Sequence, residues 1–502
     1  MTVRENPLAE IPFNTNASIR PSDILNFTIT NADNSKRIDI TAAIAEFFYY
    51  ESVLSNTISA TVVVMDSGFL GDENIPENND GSQKGLKTKG LLAFLNLNGG
   101  ERVDFKIKHS NIKVQGSDSV LEIPDGMYIN RIRDVENNSF KDTFILDLVP
   151  KEFISNEKSR VVKRYDGSIS DSILNILEDP DILGKKLSDD ESGKEKKGLR
   201  PPIIDKTTNS YNFIGNDRKP FYICTWLASK SIPEGKDENG KQITGGGAGY
   251  LFYQTRDRFH FRAIDKLLSP LDTDPVTGDK IRKYLYNNTG KNPNINFTDE
   301  ADANILTYSV NKTIDVAKDL SMGTYNNRSI FFDPFSMSYK VNLFNYEDQV
   351  VNYFGTYRNI PKVPNITDSP TRLMSHVLDV GTMPNGSTSD QQLKTWKQDL
   401  TETNYNAEDI MVQSIMRYNQ LFSIQVNVTI PGDFSIKAGD RILCKFMDLM
   451  QDETANNNLS AIYMVSSVCH KVTSEDTFSS LDLVADSYGT TRLKLTGNSF
   501  LN

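Results

Sequence analysis

The strongest constraint on the fold of this chain is that it resembles itself: a run of β-type segments near its start recurs, in the same order, near its end. GERVDFKI, from Gly100 to Ile107, parallels GDRILCKF, from Gly439 to Phe446. Each sets a glycine and an acid at a turn before an alternating strand, and Gly100, Arg102 and Lys106 recur as Gly439, Arg441 and Lys445. MYINRIRDV, from Met127, is followed by DTFILDLV (Asp142 to Val149), and IYMVSSVCHKV, from Ile462, by DTFSSLDLV (Asp476 to Val484). Tyr128 precedes Leu146 by the same interval as Tyr463 precedes Leu481. An earlier pair, ILNFTI (Ile24 to Ile29) and ILTYSV (Ile305 to Val310), shares residue types and the period-2 alternation of a strand. One such pair would be two hairpins with like turns. Several in one order imply a duplicated unit. The expectation is two antiparallel β-barrel domains, since closure removes the sheet edges that template aggregation.

At 502 residues the chain has room for three or four domains. No run approaches the roughly 18 apolar residues of a membrane-spanning helix, so no membrane insertion is expected. The opening MTVRENPLAEIPFNTNAS lacks the apolar core of a secretory signal and reads as an extended arm. Cys224, Cys444 and Cys469 are too few for a disulfide framework and too far apart for a zinc site, which implies synthesis in a reducing compartment. Against 55 basic residues stand 66 acidic ones, a net charge of -11 that argues against a surface built to grip nucleic acid.

Between the copies, YDGSISDSILNILEDP predicts a helix capped by Ser168, with Ile169, Ile173, Ile176 and Leu177 on one stripe. KPFYICTWLASKSIP predicts a second helix, with Pro220 in its first turn and Pro233 as its stop. GYLFYQTRDRFHFRAID reads as a hairpin that sets Phe259, Phe261 and Ala263 on one face. NAEDIMVQSIMRYNQ, with Asn406 at its N-cap and Met411, Ile415 and Tyr418 on one side, predicts a helix against the second copy. The stretches 184–202 and 67–90 have the composition of exposed loops. The fold class is therefore mainly β with α+β parts: an arm (1–22), a first barrel domain (23–158) and a middle α/β domain (159–302). A second barrel domain (303–345 and 403–488) follows, carrying an inserted loop-rich region (346–402), and then a tail (489–502).

The chain offers no catalytic constellation and no cofactor or metal set. His260 alternates with Arg258 and Arg262, which reads as a solvated basic face. Cys469 and His470 are adjacent, so on a strand they point to opposite faces and cannot pair as nucleophile and base. His109 and His376 lack acidic neighbours at a useful spacing. DTDPVTGDK (Asp272 to Lys280) starts like a calcium loop but lacks the glycine at position six and the acid at position twelve. GGGAG (Gly245 to Gly249) has no Lys-Ser or Lys-Thr after it for a phosphate loop.

At FFYYESVLSNTISATVVVMDSG, from Phe47 to Gly68, the chain resembles the N-terminal barrel of baseplate hub proteins of contractile-tailed, T4-like phages, and the hub module of type VI secretion spike proteins. Glu51, Ser52 and Asp66 match that pattern, as do Gly100 and Arg102 in the strand that follows and Gly439 and Arg441 in its repeat. The resemblance implies two tail-tube-like barrels per chain and a homotrimer whose six barrels surround a channel. It also implies docking of the hexameric tail tube or a tube initiator on one end and of a trimeric central spike, a separate polypeptide, on the other, with baseplate wedge proteins around it. Such a protein is a structural, non-enzymatic late protein of the virion tail, assembled in the host cytoplasm, past which DNA slides at genome ejection; an acidic lumen would suit that passage. The alternatives are a tail-associated peptidoglycan hydrolase and a glycan-binding tail protein using the aromatics.

Overall fold

The computed structural model describes residues 21–66, 91–138, 141–183, 200–236, 242–268, 281–286, 303–345, 369–378, 407–446 and 459–486, with breaks at 33, 35–36, 93–96, 115–116, 181, 244–247, 313–314 and 335–336. The arm (apart from 21–22), the tail, the loops 67–90 and 184–199, the calcium-like stretch 272–280 and most of the 346–402 insert lie outside them. Among the described residues no helix is long and apolar enough to cross a membrane.

The first module contains β1 (Asp23–Thr30), β2 (Ile44–Ser52), β3 (Ser59–Asp66), β4 (Arg102–Val114), β5 (Met127–Asn138) and β6 (Lys141–Val149). The middle segment supplies helices α1 (Lys151–Lys158), α2 (Ile169–Glu178) and α3 (Pro220–Ala228), and the hairpin β7 (Tyr250–Gln254) and β8 (Phe259–Ala263). After it come β9 (Arg282–Tyr286), β10 (Thr307–Lys312), β11 (Asn326–Asp333), β12 (Ser338–Asn345), β13 (Arg372–Val377) and α4 (Ala407–Leu421). The chain then runs through β14 (Ile424–Pro431), β15 (Arg441–Phe446), β16 (Ala461–Thr473) and β17 (Thr477–Ala485).

Both modules lie in one continuous sheet, 15-stranded among the described residues. Within it an antiparallel path runs β10, β14, β17, β16, then β2, β3, β6, β5. The second four strands repeat the first four. Register makes this explicit: Ile129 faces Leu148 and Arg131 faces Asp147 across a one-residue bulge, while Val465 faces Leu483 and Ser467 faces Asp482 across another. Leu146 lies between Ile132 and Val62 as Leu481 lies between Val468 and Val428. The turns agree as well. Gly100 N–H donates to Ile129 C=O at 2.7 Å and Ile129 N–H to Glu101 C=O at 2.9 Å; Gly439 donates to Val465 and Val465 to Asp440, each at 2.8 Å.

Three expectations need correction. No closed barrel is present among the described residues, where the two modules share one sheet. Next, ILNFTI and ILTYSV are not equivalent: β1 pairs with β4, whereas β10 pairs with β14 and so takes the place of β2. Where β1 runs antiparallel to β4, the second module has β9 running parallel to β15. Last, Arg102 faces Tyr128 while Arg441 faces Met464, so Met464 and not Tyr463 stands in the place of Tyr128. Further, β11 and β12 leave the second module's sheet and pair with each other, and β11 pairs on its other edge, in parallel, with β13, which belongs to the insert.

Alternation buries one face of each module. Phe27, Phe47, Val62, Phe105, Phe144 and Leu146 centre the first core, and Val426, Val428, Tyr463, Val468, Leu481 and Leu483 the second. In the middle segment Ser168 caps α2, its side chain accepting from Asp171 N–H at 3.1 Å, and Ile169, Ile173, Ile176 and Leu177 are all buried. Pro220 opens α3, and Phe221 packs on the hairpin's Phe252 and Phe259 at centroid separations of 5.7 and 5.6 Å.

Candidate functional site: the junction between the modules

Glu51 and Ser52, two of the signature positions, lie where β2 of the first module pairs with β16 of the second. This ladder runs from Ser52 opposite Ser467 to Glu46 opposite Thr473. β16 is long enough to serve two partners on one edge: Ala461 to Met464 face β15, and Ser467 to Thr473 face β2. Ser52 Oγ donates to Ser466 C=O at 3.2 Å and Val53 N–H to the same oxygen at 2.8 Å, closing the end of the ladder.

Glu51 is the node of the junction. Its carboxylate is buried and accepts from Tyr49 Oη at 2.8 Å, Arg256 N–H at 2.9 Å and Ala438 N–H at 3.0 Å. Tyr49 belongs to the first module, Arg256 to the turn of the β7–β8 hairpin, and Ala438 to the turn before Gly439, so one side chain ties three parts of the chain together. Burial raises the Glu51 carboxyl above its ordinary value, opposed by Arg256 and by the hydrogen bonds it accepts. The Arg256 guanidinium meanwhile donates to the C=O groups of Val120, in the strand Ser117–Glu122, and of Phe434 in the second module.

Beside this node the buried His470 ring lies parallel to Tyr49 at 6.1 Å, meets Phe434 edge-on at 5.2 Å, and its Nδ1 is 2.7 Å from Ser479 Oγ. Burial, with Arg256 nearby, pushes its pKa down to about 3, so it is neutral and structural at neutral pH. Cys469, the adjacent strand residue, has Tyr50 as its thiol's neighbour, and burial raises that thiol. His260 does not sit on a solvated basic face. It stacks on Tyr253 at 4.8 Å, bonds Thr255 Oγ1 at 3.0 Å, and burial lowers it to about 3, while Arg262 beside it is buried near Asp205 at 3.8 Å.

The other signature positions are dispersed. Asp66 is buried and its carboxylate accepts from Leu91 N–H, anchoring the chain where it returns from the 67–90 stretch. Gly100 and Gly439 hold φ of 92° and 85° at equivalent turns. Arg102 forms a partly exposed ion pair with Asp104 at 2.8 Å, whereas Arg441 is buried. Sequence reading missed the pair Asp147 and Asp482, although both lie in the quoted LDLV strings. Asp147 accepts from Thr61 at 3.2 Å and from Arg131 and Arg133 at 3.0 Å, while Asp482 accepts from Asn427 at 2.8 Å and from Ser467: in each module it clasps the strands on either side. Among the described residues no group of three or more His, Cys, Asp or Glu is placed to hold a metal ion.

No protein-family profile and no curated protein sequence matches this chain. Among solved structures it is similar to a tail protein from Neisseria meningitidis MC58, at 10% identity and a TM-score of 0.43, covering 93% of this chain and 98% of that one. It is similar as well to the 43 kDa tail protein of prophage MuSo2 from Shewanella oneidensis, at 9% identity and a TM-score of 0.43, over 92% and 98% of the two chains. A third is prophage tail protein gp18 from Listeria monocytogenes EGD-e, at 7% identity and a TM-score of 0.40, over 94% and 98%. All three of those structures are described as tail proteins.

Proposed function

We propose that the chain is a structural hub in the baseplate of a contractile phage tail: a homotrimer whose six tail-tube-like modules form a ring, adapt a sixfold tail tube to a threefold central spike, and surround the channel through which DNA passes. The observation that carries this reading is the repeat within one sheet. Two modules with the same strand order, the same bulge and the same turn hydrogen bonds are joined edge to edge, so each chain presents two quasi-equivalent copies of one surface. A trimer of such chains offers six similar faces to a hexameric partner while keeping true threefold symmetry for a trimeric one. A non-enzymatic role is part of this reading: His470 and His260 are buried neutral in stacked, hydrogen-bonded settings, and Glu51 is taken up by three donors.

The reading places the protein in the virion tail, with the spike, the tube or its initiator and the wedge proteins as neighbours, and with assembly in the host cytoplasm. Analytical ultracentrifugation of the full chain, alone and with a candidate trimeric spike protein added, tests it. A trimer in either condition, with six lobes in class-averaged electron micrographs, is the expected result. A monomer in both overturns it.

A further inference from the structure

The edge contact that joins the modules inside one chain is used only once, and the two edges that would repeat it are both open. Along the path from β10 to β5, the contact lies between β16, the last strand of one repeat, and β2, the first strand of the other. The equivalents of those two strands are β5 and β10, which are the two ends of the path. Beyond Ile129, β5 pairs only with β6, and β10 pairs only with β14, among the described residues. Thr307, Ser309, Val310 and Asn311 on one and Arg131, Asp134, Val135 and Glu136 on the other are exposed.

We propose that β5 of one protomer pairs antiparallel with β10 of a second copy of this chain, in a register that sets Val135 opposite Val310. The register follows by transfer from the internal junction. Cys469 faces Tyr50 and Lys471 faces Phe48 there. Matched through β6 and β17, Cys469 corresponds to Arg133 and Lys471 to Glu136. Matched through β3 and β14, Tyr50 corresponds to Lys312 and Phe48 to Ser309. Between these anchors the internal junction has one residue on each strand, His470 and Tyr49. The open edges have two each: Asp134 and Val135 in a bulge of β5, marked by a φ of 53° at Asp134, and Val310 and Asn311 in a bulge of β10.

A bulge on one edge alone would break pairing, which is how exposed edges are commonly blunted. Bulges of equal size at the same level on two facing strands restore it. The intermolecular ladder then runs unbroken: Arg133 opposite Lys312, Asp134 opposite Asn311, Val135 opposite Val310, Glu136 opposite Ser309. Val135 and Val310 are 54% and 37% exposed in the single chain, and each covers the other in this pairing. The matched bulges make the edge selective for its own counterpart, because a regular strand of another protein would fall out of register after two residues. The contact is head-to-tail, so it closes a ring or runs on as a filament.

This inference rests on the hub reading for the existence of the oligomer and adds to it the strands and the register. The test is a full chain carrying Val135→Cys and Val310→Cys, oxidised after assembly, with the two single variants as controls for Cys224, Cys444 and Cys469. Directly opposed antiparallel residues have Cα atoms about 4.5–5.5 Å apart, within disulfide range. The expected result is a reducible covalent oligomer from the double variant in most of the assembled material, with less than a tenth of that yield from either single variant. An oligomer of normal size by sedimentation that stays uncrosslinked overturns this interface and leaves the hub reading standing. A Val135→Cys, Tyr308→Cys pair crosslinking as well as the first overturns the register. A chain that sediments as a monomer under every assembly condition overturns the interface and the hub reading together.

Discussion

Gly439 lies directly beneath Tyr253: a β-carbon at this glycine would come within 2.0 Å of the tyrosine hydroxyl and 2.8 Å of the ring carbon that bears it. Its counterpart Gly100 meets nothing within 4 Å of the same position. The two glycines serve the same turn, but only Gly439 also lets the middle segment close onto its module. Alanine at Gly100 should therefore cost only the strain of a positive φ, about 1–2 kcal/mol. Alanine at Gly439 adds the displacement of Tyr253 from its stack on His260, for a total of about 2–5 kcal/mol. Denaturant midpoints of the two variants check this, and Tyr253→Phe in the Gly439→Ala background should recover part of the loss.

The sequence showed the repeat where its strands carry identical landmarks. GERVDFKI and GDRILCKF share a turn, and the DTF and LDLV strings place β6 and β17. It misled where only alternation was shared: ILNFTI and ILTYSV both read as strands, but alternation selects a strand and not its neighbour. The true counterpart of β10 is β2, whose FFYYES has little in common with TYSVNK. The match of Tyr128 to Tyr463 failed by one position, because the shared tyrosine outweighed the register set by the bulge. Glu51 stood out in its motif, yet its partners Arg256 and Ala438 lie 205 and 387 residues away, beyond any local pattern. Arg262, taken for a solvated cation, is buried because Asp205 comes from a distant segment.

Replacement of Glu51 should loosen three elements at once. Glutamine keeps one acceptor and sets an NH2 against a backbone donor, which orphans one of Arg256 N–H and Ala438 N–H and costs about 1–3 kcal/mol. Alanine orphans both, together with Tyr49 Oη, and should cost more. Hydrogen exchange at the Arg256 and Ala438 amides is the direct readout: both should exchange faster in Glu51→Ala, while the Gly100 amide of the first module's own turn stays unchanged. Acceleration at Gly100 alone would contradict the assignment.

Arg417 tests a second tie, between α4, the segment after β8 and the end of β17. Its fully buried guanidinium sits between Asp265 and Asp486, the latter at 3.5 Å. Arg417→Met removes the cation that two buried carboxylates share and should cost about 3–5 kcal/mol. Adding Asp265→Asn and Asp486→Asn removes the stranded charges, and this triple variant should regain most of the loss. A triple variant no more stable than the single one in urea would show that packing of the long side chain matters more than its charge.

His470 should give the junction a dependence on pH that can be isolated by substitution. In the folded chain its pKa is pushed down to about 3 by burial and then by Arg256, against an ordinary value of 6.5. The unfolded chain therefore binds the proton more tightly. The contribution of neutral His470 is fully present above about pH 6.5, is lost as pH falls below it, and is exhausted near pH 3, at about 1.4 kcal/mol per pH unit. Glu51, whose carboxyl is raised, acts in the opposite sense as pH rises above its ordinary value, but it is common to both proteins in the comparison. His470→Gln keeps a hydrogen-bonding group for Ser479 and has no proton to gain. It should be the less stable protein at pH 7.5, and its deficit should shrink by about 1.4 kcal/mol per unit between pH 6 and pH 4. Unfolding curves at three pH values decide the matter, since a constant difference between the two proteins would mean that His470 is not held neutral at the junction.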